Sequence, residues 1–510
     1  MKKFFNILFI AALLGFTACN DDFLTIQPTD KQMAGGTATE GAIMTNLAST
    51  YQILLFDSYA DNNYNSVVLM SDLRSDDIFK GGGDAGDQAM LYRLSLLDAT
   101  PTEIPQGLWT IYYSGLSRAN NAVLACENAM GVSEERVAEM KSEALFLRAY
   151  YTHWLWKFWG NIPYFTADLP APYMAPQYTA DEIYAFIMED IDAIIESAAL
   201  PMKAVKGNDG RATMAAAYML KARVVMYQKD ESRYAEVIQE MNEIISSNEY
   251  SLVDFASIWS KEGEFCDESI FEVNHLPGEY GGKTWDSGWA GYGTNLPAFI
   301  SPNGLAADTP DLLSGETIYK GGWGFGPVRL STLALFEADD VRRSASINQF
   351  EDGTYSERFQ NTGLFMAKYA ARVGYNEPPG DTDLNYENNL RIFRLAETYL
   401  NIAELIVLHG VDQGSGISAQ AALDAIRTRA GLTSIPATIE NIKLERRREF
   451  VGEGMRFWDL VRWGDADVLT ENLTEYSSVR TWTPAKKYLP IPQSEIDKTD
   501  GEFKLEQNNY

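Results

Sequence analysis

Trp285, Trp289, Tyr292, Trp323 and Phe325 lie in the most glycine-rich part of the chain, where twelve of the 39 glycines fall between Gly278 and Gly326. Rings carried on such loops have few neighbouring aliphatic side chains to bury against. Their flat faces suit stacking on the apolar faces of sugar rings, with nearby Asp, Asn and Lys reading the hydroxyls. The alternative is that they form a small core of the loops themselves. A second polar set, Arg74, Asp76, Asp77, Lys80, Asp84 and Asp87, surrounds the GGGDAG stretch at Gly81–Gly86. It fits a hydrogen-bonding rim for a polyhydroxyl ligand. GGGDAG matches G-x-G-x-x-G literally, but no strand pattern precedes it and Asp84 and Asp87 would face a pyrophosphate, which argues against a dinucleotide site. A glycoside hydrolase would need two of Asp76, Asp77, Asp84 and Asp87 at about 5–10 Å. Acids on a glycine-flanked loop make a poorly preorganised pair, so no catalytic residue is assigned and no enzyme is expected.

Other motifs exclude chemistry. Asp381-x-Asp383-x-Asn385 begins like a calcium loop, yet Tyr386 occupies the glycine position and Ile392 the position of the bidentate Glu. The three histidines, His153, His275 and His409, have no ligand spacing, and no nucleophile elbow is present. Neither a metal nor a cofactor is expected.

The elements that must carry these loops are helical. Met140, Ala144, Leu147, Tyr151, Trp154 and Phe158 recur at +4, +3, +4, +3, +4, predicting a helix over 141–159 that Gly160 closes. Thr179-x-x-Glu182 is a capping box for a helix through Ile183, Ile187, Ile191 and Ile194. Helical patterning also marks 40–56, 213–227, 237–245, 391–408 and 418–430. The segment ERRREFVGEGMRFWDLVRWG, Glu445–Gly464, interleaves Phe450, Phe457, Trp458 and Trp463 with alternating charges. It reads as a helix end docked on a helical core, with Glu445, Glu449 and Glu453 meeting Arg448 and Arg456 at helical spacing. Arginine neighbours depress carboxylate pKa values, which is wrong for a general acid.

Asp and Glu number 71 against 42 Lys and Arg, a net charge of −29 over 510 residues. Without Lys2 and Lys3 of the leader this becomes −29 − 2 = −31. Such a surface repels nucleic acid and anionic lipid. Lys2 and Lys3 precede an apolar run, Phe4–Leu14, which is too short to span a bilayer and right for a signal peptide. Thr17-Ala18-Cys19 then resembles a lipoprotein signal in which Cys19 takes the lipid, with residues 1–18 removed. Cys126 and Cys266 are expected to be buried free thiols.

Taken together, Glu445–Gly464, Tyr488-Leu489-Pro490-Ile491-Pro492, Trp109-x-x-x-Tyr113 with Arg118-Ala119-Asn120, EALFLRAYYTHWLWKFWGNIPYF from Glu143, RIFRLAETYLNIAEL from Arg391 and ALDAIRTRAGL from Ala422 resemble the RagB/SusD family. These are nutrient-binding outer-membrane lipoproteins of Bacteroidetes, and Asn20-Asp21-Asp22 looks like their acidic surface-export tag. The resemblance implies a mainly α fold: a tetratricopeptide-like scaffold of helical hairpins (about 40–250 and 391–465) beneath an irregular, loop-rich ligand-binding lobe (about 252–390), all within one SusD-like domain, 19–510. It also places the Gly81–Gly86 region near the ligand. The implied function is capture of a nutrient, foremost an oligosaccharide, at the cell surface. The ligand would then pass to a SusC-like TonB-dependent transporter in the outer membrane. A peptide ligand, as in some relatives, and a surface glycoside hydrolase are the alternatives.

Overall fold

The computed structural model describes residues 36–60, 63–276, 278–286, 291–476, 478–508 and 510. Cys19, the leader and Trp289 lie outside the described residues.

The fold is mainly helical. Its longer helices are α1 (Glu40–Tyr51), α2 (Val67–Leu73), α3 (Ala89–Ser95), α4 (Gln106–Glu127), α5 (Glu134–Trp159), α6 (Ala180–Ser197), α7 (Met214–Gln228), α8 (Tyr234–Ser246), α9 (Leu395–His409), α10 (Ala419–Arg429), α11 (Ile439–Phe450) and α12 (Arg456–Trp463). Short polar caps set many of their starts: the side chains of Thr39, Ser66, Ser133, Thr213, Ser418 and Thr438 each accept a first-turn N–H. Thr179 and Glu182 form the full capping box.

Neighbours in sequence pack side by side through α4, α5, α6, α7 and α8, and α9 closes the stack against α8 before pairing with α10 and α11. The expected stripe on α5 is buried, but so is every residue from Ser142 to Trp159. The helix runs through the centre of the stack and has no solvent face over its last four turns. Gly160 ends it at φ +68°, where a Cβ would meet the Tyr488 ring at 2.6 Å.

Two expectations change. Residues 391–394, read as the start of a helix, lie in a strand (Leu390–Arg394) antiparallel to Ser269–Val273, and α9 begins only at Leu395. The pairing partner lies more than a hundred residues away, so local periodicity did not reveal it. ERRREFVGEGMRFWDLVRWG is two helices, α11 and α12, separated by a turn in which Gly452 and Gly454 take φ of +78° and +71°. Phe457 and Trp458 are buried. Its acids mostly pair across the structure, not along the helix. Glu445 meets Arg342 at 2.5 Å and Arg427 at 2.8 Å, Glu449 meets Arg342, Arg394 and Arg429, and Glu453 meets Lys368 and Arg394. Of the expected helical pairs, Glu445–Arg448 survives at 3.7 Å, while Arg456 turns to Asp76. These charges are buried and shared, which makes them a stake of the fold: removing one partner strands another in low dielectric.

Between the Ser269–Val273 and Leu390–Arg394 strands the chain is mostly turns and short elements. Cys126 is buried and Cys266 half-buried, both as free thiols.

Candidate functional site

Within the loop region an aromatic patch assembles from three separate stretches. The two-stranded ribbon Tyr59–Ala60 and Asn63–Tyr64 supplies two tyrosines, the 281–286 stretch supplies Trp285, and the Gly321–Gly326 stretch supplies Trp323. Trp285 and Trp323 lie nearly parallel, with ring centres 5.9 Å apart and planes 29° apart. Tyr59 meets Trp285 edge-on at 5.1 Å, and Tyr64 meets Trp323 at 5.8 Å. Below them, buried Phe299 touches Tyr64 and Trp323 at 4.7 and 4.9 Å. The patch is graded: Phe299 and Phe325 are its floor, Tyr64 and Trp323 are half-buried, and Trp285 is 37% exposed at the rim. The lower rings thus form a core of the loops, and the upper ones, ending in Trp285, make its partly exposed aromatic face.

Polar contacts fix that face. Trp285 donates its backbone N–H to Asp381 Oδ2 at 2.9 Å, and Trp323 donates its indole Nε1–H to Asp383 Oδ2 at 3.1 Å. The abandoned calcium-loop stretch thus holds the tryptophans. Under the loop, buried Lys283 donates from Nζ to the carbonyls of Gly293 (2.9 Å) and Leu55 (3.4 Å), and Asn385 accepts its backbone N–H at 2.7 Å. Burial pushes the Lys283 ammonium down to about 7.

The glycine loop lies against the same surface. Gly82 donates to the Gly324 carbonyl at 2.9 Å, and Gly81 pairs with Phe325. A Cβ on Gly81 would sit 2.3 Å from the Gly324 oxygen, so the close approach requires glycine there. Asp84 is exposed and its Oδ1 accepts the N–H groups of Gly86 (2.7 Å) and Asp87 (2.9 Å), which hold its carboxyl below the usual range. Asp87 accepts from Gly83 at 2.7 Å and faces Arg358 at 3.5 Å. Lys80 is buried beneath this loop, with Nζ donating to the Asp84 carbonyl at 2.6 Å and resting over the Phe325 ring. Its role there is to shape the loop.

The other residues singled out in the sequence go elsewhere. Arg74 is buried, donating to the carbonyls of Lys486 (2.7 Å) and Lys487 (3.1 Å) with its guanidinium 4.0 Å from the Phe457 ring centre. Asp76 is held by Arg456 at 2.8 Å and Arg447 at 3.1 Å, and Asp77 by Arg447 at 2.6 Å. Sequence proximity to the glycines suggested a rim, but the turn after α2 is wedged against α11 and α12, which turns these three inward. Burial would raise the Asp76 carboxyl, yet the two guanidiniums outweigh it and hold it at about 2. A carboxyl that acidic cannot serve as the proton donor of a hydrolase. Tyr292, 37% exposed, lines a different groove. Tyr59, Tyr64 and Arg358 carry no signal in the sequence, and Asp381 and Asp383 stand out there without being assigned to the site. The signal of the last two is their Asp-x-Asp spacing, which resembles the start of a calcium loop that Tyr386 and Ile392 exclude.

Comparison with known proteins places this architecture. Residues 341–510 match the family described as "SusD family", and residues 22–226 match "Starch-binding associating with outer membrane". The chain belongs to the SusD family. It is similar to the solved surface glycan-binding protein A of Bacteroides fluxus, with 57% identity over 92% of this chain and 99% of that one, and a TM-score of 0.87. The corresponding protein of Bacteroides thetaiotaomicron in complex with laminarihexaose is 38% identical over 93% and 100% of the two chains, with a TM-score of 0.85. A laminarin-binding SusD-like protein is 29% identical over 92% and 99%, with a TM-score of 0.79.

Proposed function

We propose that this protein is a cell-surface glycan-capture protein whose ligand is a β-glucan of the laminarin type, bound across Tyr59, Trp285 and Trp323 with Asp84, Asp87 and Arg358 at its edge. The observation that carries the reading is the pre-held aromatic face. Two near-parallel indoles, one held by Asp383 through its Nε1–H and the other carried on backbone that Asp381 fixes, offer an apolar surface to sugar rings with little reorganisation. The acids and guanidinium beside it supply directional hydrogen bonds to hydroxyls. The ligands of the similar proteins, laminarihexaose and laminarin, support this ligand class over a peptide.

The protein binds without cleaving. Asp76 is locked into ion pairs and Asp84 is held ionised by backbone N–H groups, so neither is a proton donor. Cys19 carries the lipid anchor, and a SusC-like TonB-dependent transporter receives the glycan; family membership supports both assignments. Electrophoresis through gels containing laminarin tests the binding: the protein is retarded relative to a gel without glycan, and prolonged incubation releases no shorter products. Unchanged mobility in laminarin gels overturns the ligand class, and released products overturn the binder. For the anchor, Cys19→Ala releases the folded body from membranes, and a mature N-terminus other than residue 19 refutes it.

A further inference from the structure

A second groove of about 570 Å³ opens between α1 and the Ser269–Val273 strand. We propose that it is a second saccharide subsite, taking a remote stretch of the same β-glucan chain that the aromatic face binds. The proposal rests on the glycan-capture reading above.

Its lining has the chemistry of a neutral polyhydroxyl ligand. Leu47, Leu54 and Leu276 make an apolar floor, and Tyr292 stands beside it, 37% exposed. Two of the three charged side chains in the wall are engaged with other protein groups, and the third, Asp209, is exposed at the rim and accepts the Gly207 N–H at 3.1 Å. Arg211 is paired with Glu143 through its Nε at 2.9 Å, and Glu272 accepts from Phe265 N–H at 3.1 Å and from Asn389 at 3.0 Å. Neutral hydrogen-bonding groups remain. Gln52 accepts from Arg118 at 3.1 Å through its oxygen, which leaves its Nε2 facing no partner among the described residues, and Asn274 is exposed at the rim. An aromatic ring, an apolar floor and a few neutral amides, in a volume within the range of small-ligand sites, fit sugar better than an ionic ligand.

The groove lies close to the aromatic face. Trp285, at the rim of the aromatic face, and Tyr292, in the groove, are seven residues apart in sequence, and Lys283 donates to the carbonyl of Leu55, a groove residue. From Leu55 to Tyr59, at the edge of the aromatic face, is four residues, a backbone span of at most about 14 Å. One extended glycan chain covers that distance. Two linked contacts raise the apparent affinity for a long chain through effective concentration, with no new contact at the first site.

Calorimetric titration with laminarin, on the protein and five variants, tests this. Ala48 is exposed on α1 at the groove and takes no part in the aromatic face. Ala48→Arg, which fills the groove, and Tyr292→Ala, which removes its ring, each weaken laminarin roughly 5–50-fold, by analogy with stacking on single rings. Asn274→Ala, on a different stretch from Tyr292, weakens it in the same direction. Melting temperatures stay at the wild-type value. In Trp323→Ala, which cripples the first site, residual laminarin binding persists and is lost when Ala48→Arg is added. Wild-type affinity in both Ala48→Arg and Asn274→Ala overturns the subsite while leaving the aromatic face intact. Failure of the wild-type protein to bind laminarin overturns the glycan-capture reading and the subsite with it.

Discussion

Asp383 accepts the indole N–H of Trp323 at 3.1 Å, so the orientation of the half-buried ring depends on a carboxylate from a stretch sixty residues away. A hydrogen bond to a charged acceptor contributes about 1.5–3 kcal/mol. Here most of that holds a ring in place instead of holding the fold together. Asp383→Ala is expected to lower affinity for laminarihexaose about 3–10-fold, while the melting temperature moves by no more than a few degrees. Asp383→Asn, which keeps an acceptor oxygen, restores most of the affinity. Equal losses in both variants would show that charge near the ligand, not ring orientation, is what matters.

Lys283 gives the loop a pH signature. Its ordinary value is 10.5 and burial pushes it down to about 7. Between those values the unfolded chain binds a proton that the native protein does not, so stability rises with pH from about 7 towards 10.5, with a slope approaching 1.4 kcal/mol per unit. Below about 7 both states are protonated and the contribution is flat. Chemical denaturation at pH 7.5 and 9.5 should show a larger alkaline gain for wild type than for Lys283→Met. Equal gains in the two proteins refute the buried, weakly basic Lys283.

Trp458 lies under the aromatic cluster of the scaffold, 2% exposed, with Nε1 donating to Ser71 Oγ at 2.9 Å and its ring 5.1 Å from Phe158. Trp458→Ala should cost about 3–5 kcal/mol. The signature is a lowered melting temperature with unchanged affinity in the folded fraction. A variant that melts normally but binds nothing would make this segment the site.

Glu449 is shared by Arg342, Arg394 and Arg429, all buried. Burial opposes its charge, yet the surrounding guanidiniums hold its carboxyl well below the usual range. Its stabilising contribution is thus present above about 4.5 and is lost as pH falls below that. Glu449→Gln, which leaves three guanidiniums short of a charge, should destabilise by about 3–5 kcal/mol. Denaturant midpoints at pH 7 check it: a loss under about 1 kcal/mol would mean that the remaining acids compensate fully.

Much of the scaffold was legible because its information is local. The Thr179–Glu182 box and the Gly160 stop act within a turn or two of the residues that encode them. What failed was set by distant partners. Leu390–Arg394 becomes a strand because Ser269–Val273 is there to pair with it, and the acids of α11 choose arginines from three other segments over their helical neighbours. The aromatic face was partly legible. Trp285 and Trp323 stood out among glycines, but Tyr59 and Tyr64 sit in a stretch with no distinguishing pattern, and only the tertiary fold brings them to the tryptophans. Asp381 and Asp383 were noticed for their spacing, yet spacing does not say whether an acid faces a cation or an indole.

The aromatic face as the glycan-capture surface is tested most directly by calorimetric titration of laminarihexaose into the wild-type protein, Trp285→Ala and Trp323→Ala. The account predicts measurable wild-type binding, a loss of about 1–3 kcal/mol in each variant, and melting temperatures close to wild type for Trp285→Ala, whose ring lies at the rim. Undiminished affinity in both folded variants would contradict it and move the site off this surface.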